Sequence, residues 1–216
     1  MRMRKKKNGE ARLSACAHLL ATKPTVPIAS SRVDFNTDAP IFLEIGAGKG
    51  GFAVQMAEAN SDAVYYAMER VSDCVVLGAE LAEARKDCRP DNLRFIVGGA
   101  DELLSWFAPS SVARIFLNFS DPWSKKGYRK RRLTYRKYLA MYFTLLSDGG
   151  VLRFKTDNVG LFDFSLEEFE AAGFRMEQIT RDLHNSEYNE GNIQTEYERN
   201  FSAKGFPIHR VVAYLQ

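Results

Sequence analysis

Two carboxylates and the glycine-rich turn between them are spaced in this sequence as a ligand site would need them. The turn belongs to EIGAGKGG, residues 44–51, and follows an apolar run. Glu44 precedes its first glycine by two positions, and Glu69 ends the next apolar run. Glycine turns of this kind hold nucleotide-like ligands, because the backbone can approach the ligand closely. The chemistry of the protein therefore depends on which ligand the turn holds.

The order of residues in the turn excludes a P-loop that binds a nucleoside triphosphate. A P-loop needs a glycine, four residues, then glycine, lysine and a serine or threonine. Leu43 stands where the first of these glycines belongs. Gly50 follows Lys49 at the position where the magnesium-binding hydroxyl belongs.

A dinucleotide, S-adenosylmethionine and a tight turn without any ligand all remain compatible with the glycines. Gly46, Gly48 and Gly51 satisfy the GxGxxG pattern of dinucleotide sites. Glu69 stands where such sites place the acid that binds a ribose. Glu44 favours S-adenosylmethionine, because a carboxylate beside a pyrophosphate suffers like-charge repulsion. S-adenosylmethionine carries an ammonium and a sulfonium and no phosphate.

A second cluster, NFSDPWSKKGYRKRRLTYRKY at 118–138, follows the fourth strand-like segment. Asp121, Pro122 and Trp123 come just after that strand, at the edge where open α/β sheets bind their ligands. An acid, a rigid proline and an aromatic plane at this edge could hold a flat base by hydrogen bonding and stacking.

Positive charge is concentrated beside this second cluster. Eight basic side chains and no acidic one fall within residues 125–137, interleaved with Tyr128 and Tyr135, although the net charge of the chain is only +3. The pattern is typical of a surface that binds phosphates and stacks bases. A solvated helix face is the usual alternative, but the position directly after Asp121 favours a polyanion. Further basic residues within Arg2–Lys7 form either a second contact or a solubilising tail.

Strand-like and helix-like segments alternate around these residues. Strands are predicted at 41–46, 63–69, 93–98, 113–119 and 151–156. Helices are predicted at 11–22, 50–59, 71–89, 101–107, 133–146 and 161–172. Two last strands, 174–180 and 208–215, are joined by a polar segment in which no helix is expected. The alternation predicts an α/β fold, with a mostly parallel sheet, helices on both faces and an antiparallel hairpin at one edge.

Length and composition bound the class of protein. A chain of 216 residues, 45% of them apolar, can form one domain, and no apolar stretch approaches the roughly 20 residues of a membrane span. Cys16, Cys74 and Cys88 form no CxxC pair, and three histidines offer little to a zinc site. We expect a cytoplasmic protein with reduced thiols, no metal and no membrane partner. Residues 1–40 would form a basic arm with a short helix, and residues 41–216 the catalytic domain.

Several stretches together carry a family resemblance. They are E-x-G-x-G-x-G, the glutamate of the second strand, NFSDPWSKKGYRKRRL, FKTDN at 154–158 and TEYERNFSAKGFPIHR at 195–210. In this order they resemble the bacterial tRNA (guanine-N7)-methyltransferases, and DPW followed by KK and KRRL is far more specific than the glycine turn. The resemblance implies a Rossmann-like class I methyltransferase fold, S-adenosylmethionine as methyl donor and guanine 46 of the tRNA variable loop as target. The partner would be tRNA, and the enzyme a monomer or homodimer.

The resemblance also implies roles for single residues. The expected cofactor-binding residues are Glu44, Gly46, Gly48, Gly50, Glu69, Gly99, Ala100, Asp101, Asn118 and Asp121. The expected substrate-binding residues are Lys125, Asp157, Thr195, Glu196, Tyr197 and Glu198. The expected contacts to tRNA phosphates are Lys126, Arg129, Lys130, Arg131 and Arg132. One departure matters: Gly99 stands where the family has an acid, so that either Asp101 or the backbone would replace it.

The chemistry of this target needs no general base, because guanine N7 is unprotonated at neutral pH and carries an in-plane lone pair. Asp121 is the expected catalytic residue, stabilising the positive charge that moves onto the purine. Asp157, Glu196 and Glu198 are expected to accept hydrogen bonds from N1–H and the exocyclic amine of guanine.

Three other functions compete with this one. An RNA or DNA methyltransferase of an exocyclic amine would explain the Asp-Pro-aromatic turn, although such enzymes favour two prolines. A tRNA-binding protein that has lost catalysis would explain the basic run, although Glu44 and Asp121 argue against it. A nicotinamide oxidoreductase would explain the glycines, although the chain has no room for a second substrate domain.

Overall fold

The computed structural model describes residues 7–85 and 90–215, and its centre is one seven-stranded sheet. The strands are β1 (Ile41–Ile45), β2 (Val64–Glu69), β3 (Leu93–Val97), β4 (Val112–Asn118), β5 (Leu146–Thr156), β6 (Arg175–Thr180) and β7 (His209–Tyr214). Their order in the sheet is β3-β2-β1-β4-β5-β7-β6. β1 to β5 are parallel to one another, whereas β7 lies antiparallel between β5 and β6. The expected α/β fold, mostly parallel with an antiparallel edge pair, is confirmed.

Helices cover both faces of the sheet. The α-helices of the described residues are α1 (Gly9–Ala15), α2 (Arg32–Phe35), α3 (Gly51–Ala59), α4 (Ser72–Glu83), α5 (Leu103–Trp106), α6 (Arg136–Leu145), α7 (Val159–Ala171) and α8 (Glu196–Ser202). Alternate side chains of β1 point to opposite faces: Leu43 packs in the core formed with α6 and α7, and Phe42 in the core formed with α3 and α4. The same alternation places Glu44 on the α3 and α4 side.

The connection between β6 and β7 differs from its prediction. We expected no helix there, but α8 spans Glu196–Ser202. Thr195 accepts a hydrogen bond from the Glu198 backbone amide at 2.9 Å, and the Glu198 side chain reaches back to the Thr195 amide. This Thr-x-x-Glu capping box starts a helix without a strongly apolar sequence, and the polarity of the segment concealed it.

The ends of other elements also differ from their predictions. α6 begins at Arg136 instead of residue 133 and ends at Leu145, so that the expected turn at 148–150 lies within the irregular start of β5. Gly149 has a φ of 70° there, and the pairing of β4 with β5 shifts its register. Residues 1–6 of the expected basic arm and residues 86–89 of the expected helix 71–89, which include Cys88, lie outside the described residues.

The N-terminal segment packs against the sheet domain. Leu20 forms a parallel bridge with Phe95, and Ile28 forms one with Phe107. Leu19 and Ile28 are fully buried. The boundary at residue 40 stays a prediction. None of the helices in the described ranges is long and apolar enough to cross a membrane.

Candidate active site

Glu44, Glu69 and Asn118 lie at the carboxyl ends of β1, β2 and β4, which meet at one edge of the sheet because these strands are parallel. Glu44 is a buried carboxylate at this edge with one oxygen left over. Asn118 donates its Nδ2 hydrogen to Oε1 of Glu44 at 3.0 Å, and Oε2 has no hydrogen-bond partner within the described residues. Burial raises the pKa of Glu44 to about 7, against the opposing effects of Asn118 and Lys155. Because an unpaired buried carboxylate oxygen is costly, the position suits a ligand with a donor or a positive centre.

Two glycines of the turn leave open space for a ligand. Gly46 and Gly48 have φ values of 83° and 56°, and a Cβ atom at either would meet nothing within 4 Å. Gly50 is a glycine for another reason, because its Cβ would lie 2.7 Å from the Phe95 ring and 2.9 Å from Gly78 of α4. The structure therefore separates two glycines that face open space from one that serves helix packing.

Glu69 fixes the shape of the turn. Its Oε2 accepts a hydrogen bond from the Gly48 amide at 3.0 Å, and its Oε1 accepts one from the Val71 amide at 2.8 Å. The carboxylate thus ties the glycine turn to the start of α4 and lies beside the space above Gly48.

The segment after β3 places its acid outward. Gly99 is extended, with φ −117° and ψ 163°, and the nearest atom to an added Cβ would be Cδ of Arg70 at 3.9 Å. Ala100 is buried at the start of a 3₁₀ turn. Asp101 is exposed and forms an ion pair with Lys137, and the Tyr138 hydroxyl donates to its Oδ1 at 3.3 Å. Asp101 therefore faces α6, and any part that it takes in ligand binding stays a prediction.

The loop after β4 is held in strained conformations. Phe119 and Trp123 have φ values of 52° and 40°, which are unusual for aromatic residues. Asp121 lies exposed between them, after the buried strand ends at Asn118. Strain of this kind is found where the surrounding structure holds a loop for function.

The basic run forms an exposed 3₁₀ helix, Lys126–Arg131, in which the side chains from Lys125 to Arg131 are exposed. The guanidinium of Arg131 lies 5.0 Å from the ring centre of Trp123 and 4.7 Å from that of Tyr128. The aromatic and basic side chains therefore form one surface beside Asp121.

Arg132 does not belong to that surface. It is 6% exposed, its guanidinium donates to the carbonyls of Pro122 and Trp123, and it lies over the Phe164 ring. The expectation that Arg132 is a surface phosphate contact conflicts with this placement, because the side chain holds the strained loop in place. Tyr135 likewise packs against the core instead of standing among the exposed charges.

A buried ion pair anchors α8 to the sheet. Nζ of Lys155 on β5 donates to Oε2 of Glu198 at 2.6 Å, and both side chains are almost fully buried. Asn192 donates to Oε1 of Glu198 at 2.8 Å, and a ring nitrogen of His184 lies 2.9 Å from the same oxygen. Although burial alone raises the pKa of Glu198, these neighbours lower it below its ordinary value. Glu198 is thus a fully bonded anion inside the protein.

Three other expected substrate-binding residues lie at or near the surface: Asp157, Glu196 and Tyr197. The Tyr197 hydroxyl lies 3.3 Å from Oδ2 of Asp157, and its ring centre lies 4.9 Å from that of Phe119. Burial and Asp157 raise the pKa of Tyr197 to about 12. Nζ of Lys49, in the glycine turn, lies 3.1 Å from Oε1 of Glu196, so that the two halves of the site touch.

Sequence reasoning missed several residues of this arrangement. Phe119 lies in the NFSDPW motif and Lys155 in the FKTDN motif. Only the fold shows which neighbour each of them contacts. His184 and Asn192 carried no signal, because they reach Glu198 from a connection without a recognisable pattern. Within residues 7–85 and 90–215, no group of three or more His, Cys, Asp or Glu side chains is placed to hold a metal ion.

Comparisons with known proteins identify the family of this chain. A family model described as a putative methyltransferase matches residues 38–211. A protein of Lachnoclostridium phytofermentans named tRNA (guanine-N(7)-)-methyltransferase is 48% identical over 180 residues, which are 83% of each chain. A protein of the same name from Bacillus subtilis is 41% identical over 97% of each chain. The chain belongs to this methyltransferase family.

Solved structures of methyltransferases share the fold. The 16S rRNA methyltransferase KamB superimposes with a TM-score of 0.64 at 13% identity, covering 87% of this chain and 94% of that one. An antibiotic-related methyltransferase gives a TM-score of 0.62 at 14% identity, covering 89% of this chain and 98% of that one. The Rossmann-like methyltransferase fold is thereby confirmed.

Proposed function

We propose that the protein transfers a methyl group from S-adenosylmethionine to N7 of guanine 46 in the variable loop of tRNA. The observation that carries the proposal is that one edge of the sheet holds both a buried, partly unpaired carboxylate and an exposed basic helix. Asn118, which donates to that carboxylate, is linked to the basic helix by the short loop that contains Asp121. The names of the curated relatives support the same activity.

The residues of the first half fit S-adenosylmethionine. The unpaired oxygen of Glu44 can accept hydrogen bonds from its ammonium, and the open backbone at Gly46 and Gly48 leaves room for it. Glu69 lies beside this space, where its carboxylate can accept from ribose hydroxyls. S-adenosylmethionine, when bound, supplies an electrophilic methyl group on a positively charged sulfur.

Asp121 acts electrostatically in this proposal. Positive charge moves onto the purine ring as N7 is methylated, and a carboxylate fixed nearby stabilises that charge in the transition state. The strained backbone at Phe119 and Trp123 and the buried Arg132 hold the loop, so that the carboxylate needs little reorganisation.

The guanine would be held by the surface at Asp157, Tyr197 and Phe119. The two rings offer a stacking plane, and the carboxylates of Asp157 and Glu196 can accept from N1–H and the exocyclic amine. Thr195 and Glu198 support this surface from within, because the first caps α8 and the second anchors it.

The tRNA backbone would be bound by the exposed side chains of Lys125, Lys126, Arg129, Lys130 and Arg131. Basic side chains bind phosphates largely through charge, with release of counterions. Arg131 and its two aromatic neighbours can also stack on a base.

An unmodified tRNA transcript and methyl-labelled S-adenosylmethionine test the proposal together. Borohydride and aniline treatment cleaves RNA at N7-methylguanine, so we expect label in the RNA and one cut in the variable loop. Label without a cut would move the reaction to another atom, such as an exocyclic amine. Binding of tRNA without any label would leave a binding protein and contradict the proposal.

A further inference from the structure

A cavity of about 470 Å³ lies beside the site described above and shares the Lys155 side chain with it. It is bounded by α3, by the faces of β5 and β7 and by the segment 187–193. Arg153 and Lys155 line it from β5, and Arg210 lines it from β7. Three cationic side chains therefore face one space, together with the exposed carboxylates of Glu187 and Glu190.

Among the described residues, Arg153 forms no ion pair with either of these carboxylates. Its Nε is buried and makes no hydrogen bond within residues 7–85 and 90–215. Burial and the charges of Arg114 and Arg210 lower the pKa of Arg153 to about 10. At neutral pH the guanidinium of Arg153 therefore stays charged, although the charges of Arg114 and Arg210 repel it.

The hydrogen-bond partners of the other two cations do not neutralise Arg153. The charge of Lys155 is matched by Glu198, which it binds at 2.6 Å. Arg210 donates to the Tyr188 carbonyl at 2.8 Å and to the side-chain oxygen of Gln178, both of which are neutral. Glu198 also acts electrostatically on Arg210, but it is already bound to Lys155.

The backbone around Arg210 is strained. Gln178 has a φ of 51°, at the point where the pairing of β6 with β7 shifts its register. This conformation directs the Gln178 side chain onto Arg210 and fixes the guanidinium at the cavity. Strain that orients a cation is expected where the cation binds something.

We propose that this cavity binds a phosphate group between Arg153 and Arg210. A largely buried, unpaired charge is costly, and planar guanidinium groups match the geometry of phosphate oxygens. The phosphate belongs either to the tRNA backbone or to a small free phosphate. The first source rests on the proposed function, whereas the second does not.

Inorganic phosphate is the first probe. At constant ionic strength, a phosphate concentration about ten times the dissociation constant should raise the melting temperature of the wild type by about 3 to 6 °C over chloride. Arg153→Met and Arg210→Met should lose this shift. Arg153→Lys, which keeps the charge but not the planar fork, should show a smaller shift. Arg32→Met is the control, because Arg32 is exposed and paired with Asp38 away from the cavity, and it should keep the full shift.

Stability without phosphate tests the physical premise. Because Arg153→Met removes an unpaired charge, the variant should be at least as stable as the wild type in chloride. The proposal is overturned if the wild type shows no phosphate shift, or if Arg153→Lys and Arg32→Met shift alike.

The salt dependence of tRNA binding identifies the source of the phosphate. If the phosphate belongs to tRNA, Arg153→Met should reduce the slope of log affinity against log salt by about 0.7 to 0.9 for the lost contact. An unchanged slope with a lost phosphate shift would assign the cavity to a free phosphate. If the variant instead weakens S-adenosylmethionine binding, the anion is the carboxylate of that ligand, and the proposal is wrong. A failure to methylate tRNA would contradict the proposed function but leave the phosphate shift in place.

Discussion

The two halves of the site hold their charges in opposite ways. Glu44 on β1 and Lys155 on β5 are buried on two strands that β4 separates, and each accepts or donates a hydrogen bond there. On the 3₁₀ helix Lys126–Arg131, the basic side chains are exposed to solvent. The first arrangement is built from strands and the second from one surface segment.

This difference predicts two kinds of recognition. Buried charges interact strongly at short range and suit a small ligand whose charged groups occupy fixed positions. Exposed charges are screened by salt and suit a polyanion that many weak contacts hold together. Substitutions in the two regions should therefore differ in the size of their effects and in their dependence on pH and salt.

The largest expected effect comes from the buried ion pair. Lys155→Met leaves the Glu198 carboxylate buried without its cation, so the free energy of unfolding should fall by about 3 to 5 kcal/mol, as measured by urea denaturation. Lys49→Met is the matched control, because Lys49 pairs with Glu196 of the same helix in an exposed position, and it should cost about 0 to 1 kcal/mol. The double variant Lys155→Met with Glu198→Met should recover much of the loss. If Lys155→Met and Lys49→Met lowered the free energy of unfolding equally, the buried and the exposed ion pair would not differ in their contribution to stability.

Asp121→Asn should have the next largest effect, on rate alone. It removes a negative charge but keeps the size of the side chain, so we expect kcat to fall about 100- to 1000-fold. The dissociation constant for tRNA should stay within about a factor of two, because phosphate contacts dominate binding. Asp62→Asn, at an exposed position after α3, is the control. Full activity in Asp121→Asn would show that this carboxylate does not stabilise the transition state.

The pH dependence of stability reports on Glu44. Its pKa is about 7 in the folded chain against 4.5 for the free side chain, because burial and the charge of Glu69 outweigh Asn118 and Lys155. The folded state therefore retains a proton that the unfolded state releases. The stability that Glu44 contributes is complete below pH 4.5 and is lost as the pH rises to about 7, on the order of 3 kcal/mol. Glu44→Gln should flatten this part of the profile in urea unfolding from pH 4 to 8. Superimposable profiles would mean that Glu44 is already ionised in the free protein.

The smallest effects are expected on the exposed helix. Lys126→Gln and Arg129→Gln should each reduce the slope of log tRNA affinity against log salt by about 0.7 to 0.9, as measured by filter binding at several salt concentrations. Arg32→Gln, which removes an exposed arginine at another surface, should leave the slope unchanged. A loss of affinity that did not vary with salt would point to base contacts instead of phosphate contacts.

The sequence predicted the frame of the fold because local patterns decide it. The apolar run at 41–46 became β1, and the predicted helix 161–172 became α7 with Gly173 at a φ of 80°. The elements that failed depend on tertiary contacts or on caps. α8 required a capping box and the anchor between Glu198 and Lys155, neither of which appears in hydrophobic periodicity.

The site was only partly predictable for a similar reason. Motif spacing could select Glu44, Glu69 and Asp121, because each lies within about three residues of the carboxyl end of a strand. It could not show that Gly50 serves helix packing, or that Arg132 turns inward beneath the loop that it was expected to flank. These facts depend on which side of an element faces a neighbour far away in the chain.

The most direct test of the division between the two halves is to measure both dissociation constants on the same variants. We would titrate S-adenosylmethionine by calorimetry and tRNA by filter binding into Glu44→Gln and into the double variant Lys126→Gln with Arg129→Gln. We expect Glu44→Gln to lose affinity for S-adenosylmethionine and to keep its affinity for tRNA, and the double variant to do the reverse. If both variants weakened the binding of both ligands alike, the two regions would not act on separate ligands.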